Sequence, residues 1–153
     1  MSVILIAEAI GNLEPVPDQT RLVKNKEFLI VGNKDNLTTG DGVNEMTYWV
    51  FDFRKHEDYR AFDPEALLES AVLTLDLEPR SSAVSTDSVR IQGLDGINVF
   101  ANLPIGKVSN VEVDLLEYYD PQDILDAVWG LWLPMLYEED CIVSRAELLL
   151  ELG

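Results

Sequence analysis

The chain has 153 residues, 47% hydrophobic and 25% charged, which is the composition of one globular domain with a sizeable core. Its 28 acidic and 11 basic residues give a formal net charge of −17, which repels phosphate backbones and anionic lipid surfaces, so we expect no binding to nucleic acids or membranes. A single cysteine excludes an internal disulfide, and a single histidine excludes a multi-histidine metal site and most histidine-based catalysis.

The amino-terminal segment predicts a strand and not a targeting signal. Residues 3–7 are apolar, but no basic residues precede them and Glu8 follows at once. No apolar run approaches the roughly 18 residues that a membrane span requires. We therefore expect the chain to be cytoplasmic as synthesised, and its final location stays open.

Regularly spaced turn signals predict a series of short strands after this segment. Residues 13–19 and 32–42 are rich in Pro, Gly, Asn and Asp, so they predict turns on either side of a strand at 26–31. The next strand, at 46–53, alternates between two faces. The face that is expected to point into the core consists of Thr47, Trp49, Phe51 and Phe53.

The pattern Ala-x-Leu-x-Leu-x-Leu occurs twice, at residues 71–77 and 146–152. Strict alternation places the leucines on one face and polar residues on the other, as in an antiparallel sheet with one buried and one solvated side. Extending the second pattern backwards puts Ile142 and Ser144 on the leucine face, and Cys141 on the opposite face. Almost complete burial is expected for Leu73, Leu75, Leu148 and Leu150.

Helix signals are sparse. Asp63-Pro64-Glu65 predicts a short helical turn, and a helix with a wide apolar surface is expected to start at Asp120 and to end before Gly130. Further strands are predicted at 88–94 and 97–100, around an Asp95-Gly96 turn, and at 108–116. The fold class is therefore all-β, an antiparallel, jelly-roll-like β-sandwich with one or two short helices, formed by a single domain over residues 1–153.

Four segments are similar to those of a known family. The run 49–53 (Trp-Val-Phe-Asp-Phe), followed after an insert by 68–75 (Leu-Glu-Ser-Ala-Val-Leu-Thr-Leu), resembles jelly-roll modules of the DNRLRE type, which are carbohydrate-binding β-sandwiches. Val113-Asp114-Leu115 before the helix and the closing run 144–148 also fit, so the resemblance covers roughly residues 28–152. It implies a jelly-roll fold, glycan binding and a structural Ca²⁺. The eponymous motif and a secretion signal are missing from this sequence.

The residues that usually carry catalysis stand in unfavourable surroundings. His56 lies in a charged loop and is expected to be solvated, and no Gly-x-Ser-x-Gly elbow is present to expose a serine nucleophile. Cys141 follows a run of acids, residues 138–140, whose like charge should raise the thiol pKa and keep it unreactive. We therefore do not expect a His- or Cys-dependent enzyme.

Residues 33–44 contain the oxygen ligands of a candidate calcium site, without the spacing of an EF-hand. No other cofactor is expected. The candidate ligands are Asn33, Asp35, Asn36, Asp41 and Asn44.

Aromatic residues cluster in the sequence around the helix. They could form a surface on which a sugar ring stacks or a protein docks, whereas the tryptophans could instead pack the helix against the sheet. The two adjacent tyrosines are expected to be freer than the tryptophans. The candidate binding residues are Tyr118, Tyr119, Trp129, Trp132 and Tyr137.

Three functions fit these observations. The first is a non-catalytic recognition module for a glycan or a protein partner. The second is a structural subunit of a particle, filament or virion, which would make the protein a homo-oligomer. The third is a small β-fold enzyme that encloses an apolar substrate without a nucleophile or a metal.

Overall fold

A computed structural model describes residues 2–10, 16–17, 22–25, 27–32, 38–81, 86–98, 100, 102–128 and 130–153, which form two antiparallel sheets and one α-helix. The strands are β1 (Val3–Ile10), β2 (Val16–Pro17), β3 (Leu22–Asn25), β4 (Phe28–Gly32), β5 (Thr38–Thr39), β6 (Glu45–Asp52), β7 (Leu68–Pro79), β8 (Ser88–Ile91), β9 (Ser109–Asp114), β10 (Trp132–Glu139) and β11 (Cys141–Leu152), and the helix is α1 (Pro121–Ala127).

The two main sheets have the strand orders β1-β11-β7-β9 and β3-β4-β6-β10-β8, and β2 pairs with β5 in a small separate ladder. Every ladder between these strands is antiparallel. β1 packs across the interior against β6, which joins the two sheets into a sandwich. The all-β class expected from the alternating sequence is confirmed.

The leucine strands form one wall of the core. Leu73 on β7 lies opposite Leu148 on β11, and both are buried, as are Leu75 and Leu150. The facing sheet contributes aromatic rings in edge-to-face contact, with the centroids of Phe28 and Trp49 5.7 Å apart and those of Trp49 and Phe51 6.1 Å apart. The burial predicted from the two-residue period is confirmed at these positions.

A β-bulge changes the faces at the start of β11. The register with β7 shifts between Val143 and Arg145, so Ser144 is the additional residue on this strand. Cys141 and Val143 therefore point into the core, and Ile142 is only half-buried. The expectation that Cys141 faces away from the leucine side is wrong, because alternation cannot be extended through a bulge.

Helix α1 has the predicted start. Asp120 is its N-cap, Pro121 is the first helical residue, and Ile124 and Leu125 bury its apolar side. Residues 63–66 form the predicted short turn, with the Ala66 N–H donating to the Asp63 carbonyl at 3.1 Å and the Glu65 N–H donating to Asp63 Oδ1 at 2.9 Å. Among the described residues, no helix is long and apolar enough to span a membrane.

The hairpin predicted around Asp95-Gly96 is only partly formed among the described residues. Val89 of β8 and Ile97 form an isolated antiparallel bridge, with backbone hydrogen bonds of 3.0 and 2.8 Å. Ile97 therefore covers the outer edge of β8 at this point, without a second full strand.

Candidate binding groove on the five-stranded sheet

The outer face of the five-stranded sheet is apolar over three neighbouring strands. Leu29 of β4, Tyr48 of β6 and Leu136 of β10 stand side by side in the ladder, and Val50 lies opposite Pro134 in the row beside them. The outer face of an antiparallel sheet is normally polar because it meets water. We call this surface the apolar band, and its members are Leu29, Val31, Met46, Tyr48, Val50, Pro134 and Leu136.

A groove runs over the apolar band. One part, of about 570 Å³, lies over Leu29, Val50 and Pro134 and has Glu27 at its rim. A second part, of about 480 Å³, includes Arg90, Leu94, Asp95 and Leu136. Tyr48 and Gln92 line both parts, so the two parts are adjacent. Val50 is 45% exposed, Leu29, Tyr48 and Pro134 are half-buried, and Leu136 is buried, so Val50 is the main aliphatic side chain that the floor presents to solvent.

Ion pairs surround the groove. Lys55 binds Glu27 at 2.7 Å, and Arg90 binds Glu138 at 3.1 Å. These basic side chains are therefore already paired with carboxylates, and the acidic side chains dominate the charge of the whole molecule. A ligand that enters the groove meets an apolar floor and a polar rim.

Trp132 extends the apolar surface beyond Pro134. It is 44% exposed, and the guanidinium carbon of Arg54 lies 4.8 Å from its ring centroid in a cation–π contact. Arg54 also donates two hydrogen bonds to Asp52, from Nε at 3.0 Å and from Nη2 at 3.1 Å. The side-chain hydrogen bond from Arg54 is the main cause that lowers the pKa of Asp52.

A second small cavity continues the groove past Val31 and Met46. It has a volume of about 200 Å³, and three carboxylates line it, those of Glu45, Glu138 and Glu139. Two of the three are already engaged, Glu45 with the N–H groups of Gly40 and Gly42 and Glu138 with Arg90.

The aromatic residues proposed from the sequence do not form one surface. Trp132 points outward from β10, but Tyr137 lies five positions further along the strand and points into the core, because residues an odd number apart face opposite sides. Trp129 lies outside the described residues. Tyr118 is exposed and lines a separate cleft of about 300 Å³ together with acidic side chains, those of Asp95, Glu117, Asp120 and Asp123.

Tyr119 is not free, contrary to the expectation from the sequence. It is only 8% exposed, and its hydroxyl donates a 2.6 Å hydrogen bond to the carbonyl of Asp95. Burial is the main cause that raises its pKa. This tyrosine anchors the turn at Asp95 to the segment before α1, and it lines the same cleft as Tyr118.

Tyr137 belongs to a buried polar cluster with Asp87 and Cys141. Its hydroxyl donates to Asp87 Oδ2 at 2.7 Å and lies 3.1 Å from Cys141 Sγ, and the Asp140 N–H donates to Asp87 Oδ1 at 3.1 Å. All four residues are buried. Desolvation raises the pKa of the Cys141 thiol more than the neighbouring acids do, so the predicted direction is confirmed with a different main cause.

The same cluster fixes the loop before β6. The Asn44 N–H donates to Asp140 Oδ1 at 3.1 Å, and the N–H groups of Gly40 and Gly42 donate to the Glu45 carboxylate at 2.9 Å. Gly42 has φ +80°, and an added Cβ there would lie 2.6 Å from the side chain of Ile142. The loop is therefore closely packed against β11.

The candidate calcium ligands are only partly described. Asn33, Asp35 and Asn36 lie outside the described residues, and Asp41 Oδ1 accepts a hydrogen bond from the Val43 N–H at 3.0 Å. In the part of the chain that the structure describes, no three acidic, histidine or cysteine side chains are grouped as metal ligands.

His56 lies in the loop after β6. Its Nδ1 accepts a 3.1 Å hydrogen bond from the Asp58 N–H, so the ring is part of a local turn. It lines neither part of the groove.

No protein-family model matches the sequence, and no curated protein shows significant similarity to it. Of the surfaces described, the groove combines the largest volume with exposed apolar side chains. Pockets of this kind are the usual starting point for inferring a binding function.

Proposed function

We propose that the protein is a non-catalytic recognition module that binds a protein partner in the groove. The proposal rests on the apolar band. It lies on the outer face of an antiparallel sheet, where side chains are normally polar because they meet solvent. Contiguous exposed apolar surface with a polar rim is characteristic of sites where proteins associate.

The composition of the floor favours a protein over a glycan. Sugars bind through flat aromatic faces and fixed polar groups, whereas Leu29, Val31, Val50 and Pro134 offer branched or cyclic aliphatic surface. Among the described residues, the outward aromatic side chains on this face are Tyr48 and, beyond Pro134, Trp132, whose ring is already in contact with the Arg54 guanidinium. Glycan binding, which the jelly-roll resemblance implies, is therefore the alternative that the experiment must distinguish.

The net charge of the protein indicates which kind of protein partner it attracts. A molecule of net charge −17 attracts basic surfaces over long range and repels acidic ones, which affects association rates more than the lifetime of a complex. The apolar floor supplies the part of the affinity that salt does not screen. We therefore expect a basic partner whose association slows as ionic strength rises and whose dissociation changes little.

Binding without chemistry agrees with the positions of the two residues considered for catalysis. Cys141 is buried in the core, and the imidazole of His56 takes part in a local turn outside the groove. The variant His56→Ala should therefore retain the affinity of the parent protein for its partner.

The test compares Val50→Lys with Val108→Lys. Both replace an exposed valine by lysine and change the net charge equally, but Val108 precedes β9 in the opposite sheet. Each variant is applied to a glycan array and, with a chemical cross-linker, to a host-cell extract whose cross-links are mapped by mass spectrometry.

The expected result is one basic protein cross-linked at the rim of the groove, retained by Val108→Lys and lost by Val50→Lys. If a glycan binds the parent protein but not Val50→Lys, the ligand of the groove is a sugar and the proposed protein partner is wrong. Partner cross-links that survive in Val50→Lys would move the site away from the groove.

A further inference from the structure

We propose that two copies of the protein form a two-fold dimer by pairing their β1 strands edge to edge. β1 is the end strand of the four-stranded sheet, and among the described residues it pairs with β11 alone. Its other edge therefore presents main-chain N–H and C=O groups in the spacing that another strand requires.

The β1 edge lacks the protection that other edges of the sandwich have. β9, at the far end of the same sheet, has six residues and includes Glu112 and Asp114, whose charges oppose pairing. β8 has four residues, and Ile97 bridges its outer edge. β1 has eight residues, contains no proline, includes one charged residue, and keeps an unbroken register with β11.

Apolar side chains stand beside this open edge. Ile4 is 44% exposed and Ile6 is 37% exposed, both on the outer face of the sheet. On the same outer face, Ile6 lies opposite Leu149 of β11, and Leu149 lies opposite Val72 of β7. A strand that pairs with β1 would cover the two isoleucines and extend this apolar row.

The sequence of β1 is complementary to itself in one antiparallel register. When Leu5 lies on the two-fold axis, Ile4 is opposite Ile6 of the second copy, and Glu8 is opposite Ser2. A shift that places Ile6 on the axis would instead put Glu8 opposite Ile4. The favoured register brings no carboxylate against another, although each copy has a net charge of −17. Shape and charge at this edge therefore fit a second copy of the chain.

The symmetry of this pairing has a geometric consequence. A two-fold axis between antiparallel strands of one continuous sheet is perpendicular to that sheet, so both five-stranded sheets lie on the same side of it. The two grooves then face the same direction. This consequence alone rests on the proposed function, and it would allow bivalent binding to a partner with repeated sites.

The first experiment measures solution mass by sedimentation across a dilution series. The parent protein should have twice the chain mass of 17.2 kDa and dissociate to one chain on dilution. Ile4→Lys/Ile6→Lys should be a monomer throughout, whereas Val50→Lys should remain a dimer. A monomeric parent protein, a dimer that persists in the double variant, or growth to larger assemblies would overturn the proposal.

The second experiment tests the register with variants that each introduce one exposed cysteine, while the chain's own Cys141 is buried. Opposite residues in an antiparallel pair have Cα atoms about 4.5–5.5 Å apart, which a disulfide can join. Mixing Ser2→Cys with Glu8→Cys under mild oxidation should therefore give a covalent dimer. Either variant alone should not give a covalent dimer. The introduced cysteines of its two copies would be about 20 Å apart, at about 3.4 Å per residue. Failure of the mixture to cross-link while the dimer persists would overturn the register.

Discussion

Replacing Asp87 by alanine should destabilise the protein strongly, because this carboxylate accepts hydrogen bonds from three buried groups, Tyr137, Cys141 and the Asp140 backbone. The Tyr137 hydroxyl lies 2.7 Å from Oδ2, and the Asp140 N–H lies 3.1 Å from Oδ1. A buried donor without a partner costs about 1–3 kcal/mol. Leaving both the Tyr137 hydroxyl and the Asp140 N–H without Asp87 should therefore lower the free energy of unfolding by about 2–6 kcal/mol.

Asp87→Asn is the matched control. The amide oxygen can still accept from the Asp140 N–H, and the amide nitrogen can donate to the oxygen of Tyr137. Both contacts are therefore kept with nearly the same side-chain shape. We expect this variant to lose less than about 1.5 kcal/mol, the value of one ordinary hydrogen bond.

The pH dependence separates the charge of Asp87 from its hydrogen bonds. Burial is the main cause that raises the pKa of Asp87 above its ordinary value of 3.8, and the Asp140 carboxylate adds to it. The hydrogen bonds from Tyr137, Cys141 and the Asp140 backbone act in the opposite direction. Because the folded state holds its proton more tightly, the stabilisation is complete below the unfolded pKa and is lost as pH rises through the folded pKa.

The assay is urea unfolding followed by tryptophan fluorescence at a series of pH values from about 3.9, the ordinary carboxyl pKa, upwards. Asparagine does not titrate at this site, so the stability of the parent protein minus that of Asp87→Asn should decrease as pH rises. A difference that increases with pH, or a cost of Asp87→Ala below about 1 kcal/mol, would refute this account of the buried cluster.

Three further predictions concern the core, the loop before β6 and the thiol. Leu75→Ala should cost about 2–5 kcal/mol in urea unfolding, and exposed Leu67→Ala should change stability by less than about 0.5 kcal/mol; similar costs would contradict the assigned core. Gly42 and Gly93 both have a positive φ, but only at Gly42 would an added Cβ meet neighbouring atoms. Gly42→Ala should therefore cost about 1–3 kcal/mol more than Gly93→Ala in the same assay. Equal costs would contradict the close packing of the loop. Cys141→Ser should leave partner affinity unchanged in a binding titration, and a tenfold loss would give the thiol a functional role.

The sandwich could be predicted because its core strands follow a strict two-residue period. Leu73 and Leu75, like Thr47 and Trp49, are separated by one residue, so burial of one face follows directly from strand geometry. The helix could be predicted because Asp120 and Pro121 are local signals that act without tertiary contacts.

The bulge in β11 could not be predicted in the same way. The order Cys141-Ile142-Val143-Ser144 offers apolar side chains on both faces, so the sequence pattern does not locate the bulge. In the structure, buried Val143 and Ala146 pair with Leu77 and Leu75 of β7 on either side of the additional residue. The position of the bulge depends on packing between strands far apart in sequence.

The groove escapes prediction for a related reason. Met46, Tyr48 and Val50 can be recognised in the sequence as the second face of β6, and a face opposite three core aromatics is expected to meet water. Their significance depends on β4 and β10, which place Leu29 and Pro134 beside them. Antiparallel pairing brings together segments that are about a hundred residues apart, and one strand gives no sign of its neighbours. An apolar residue on the solvent-facing side of a predicted strand therefore indicates a binding surface only when the adjacent strands also place apolar residues there. Both neighbours of β6, which are β4 and β10, do so.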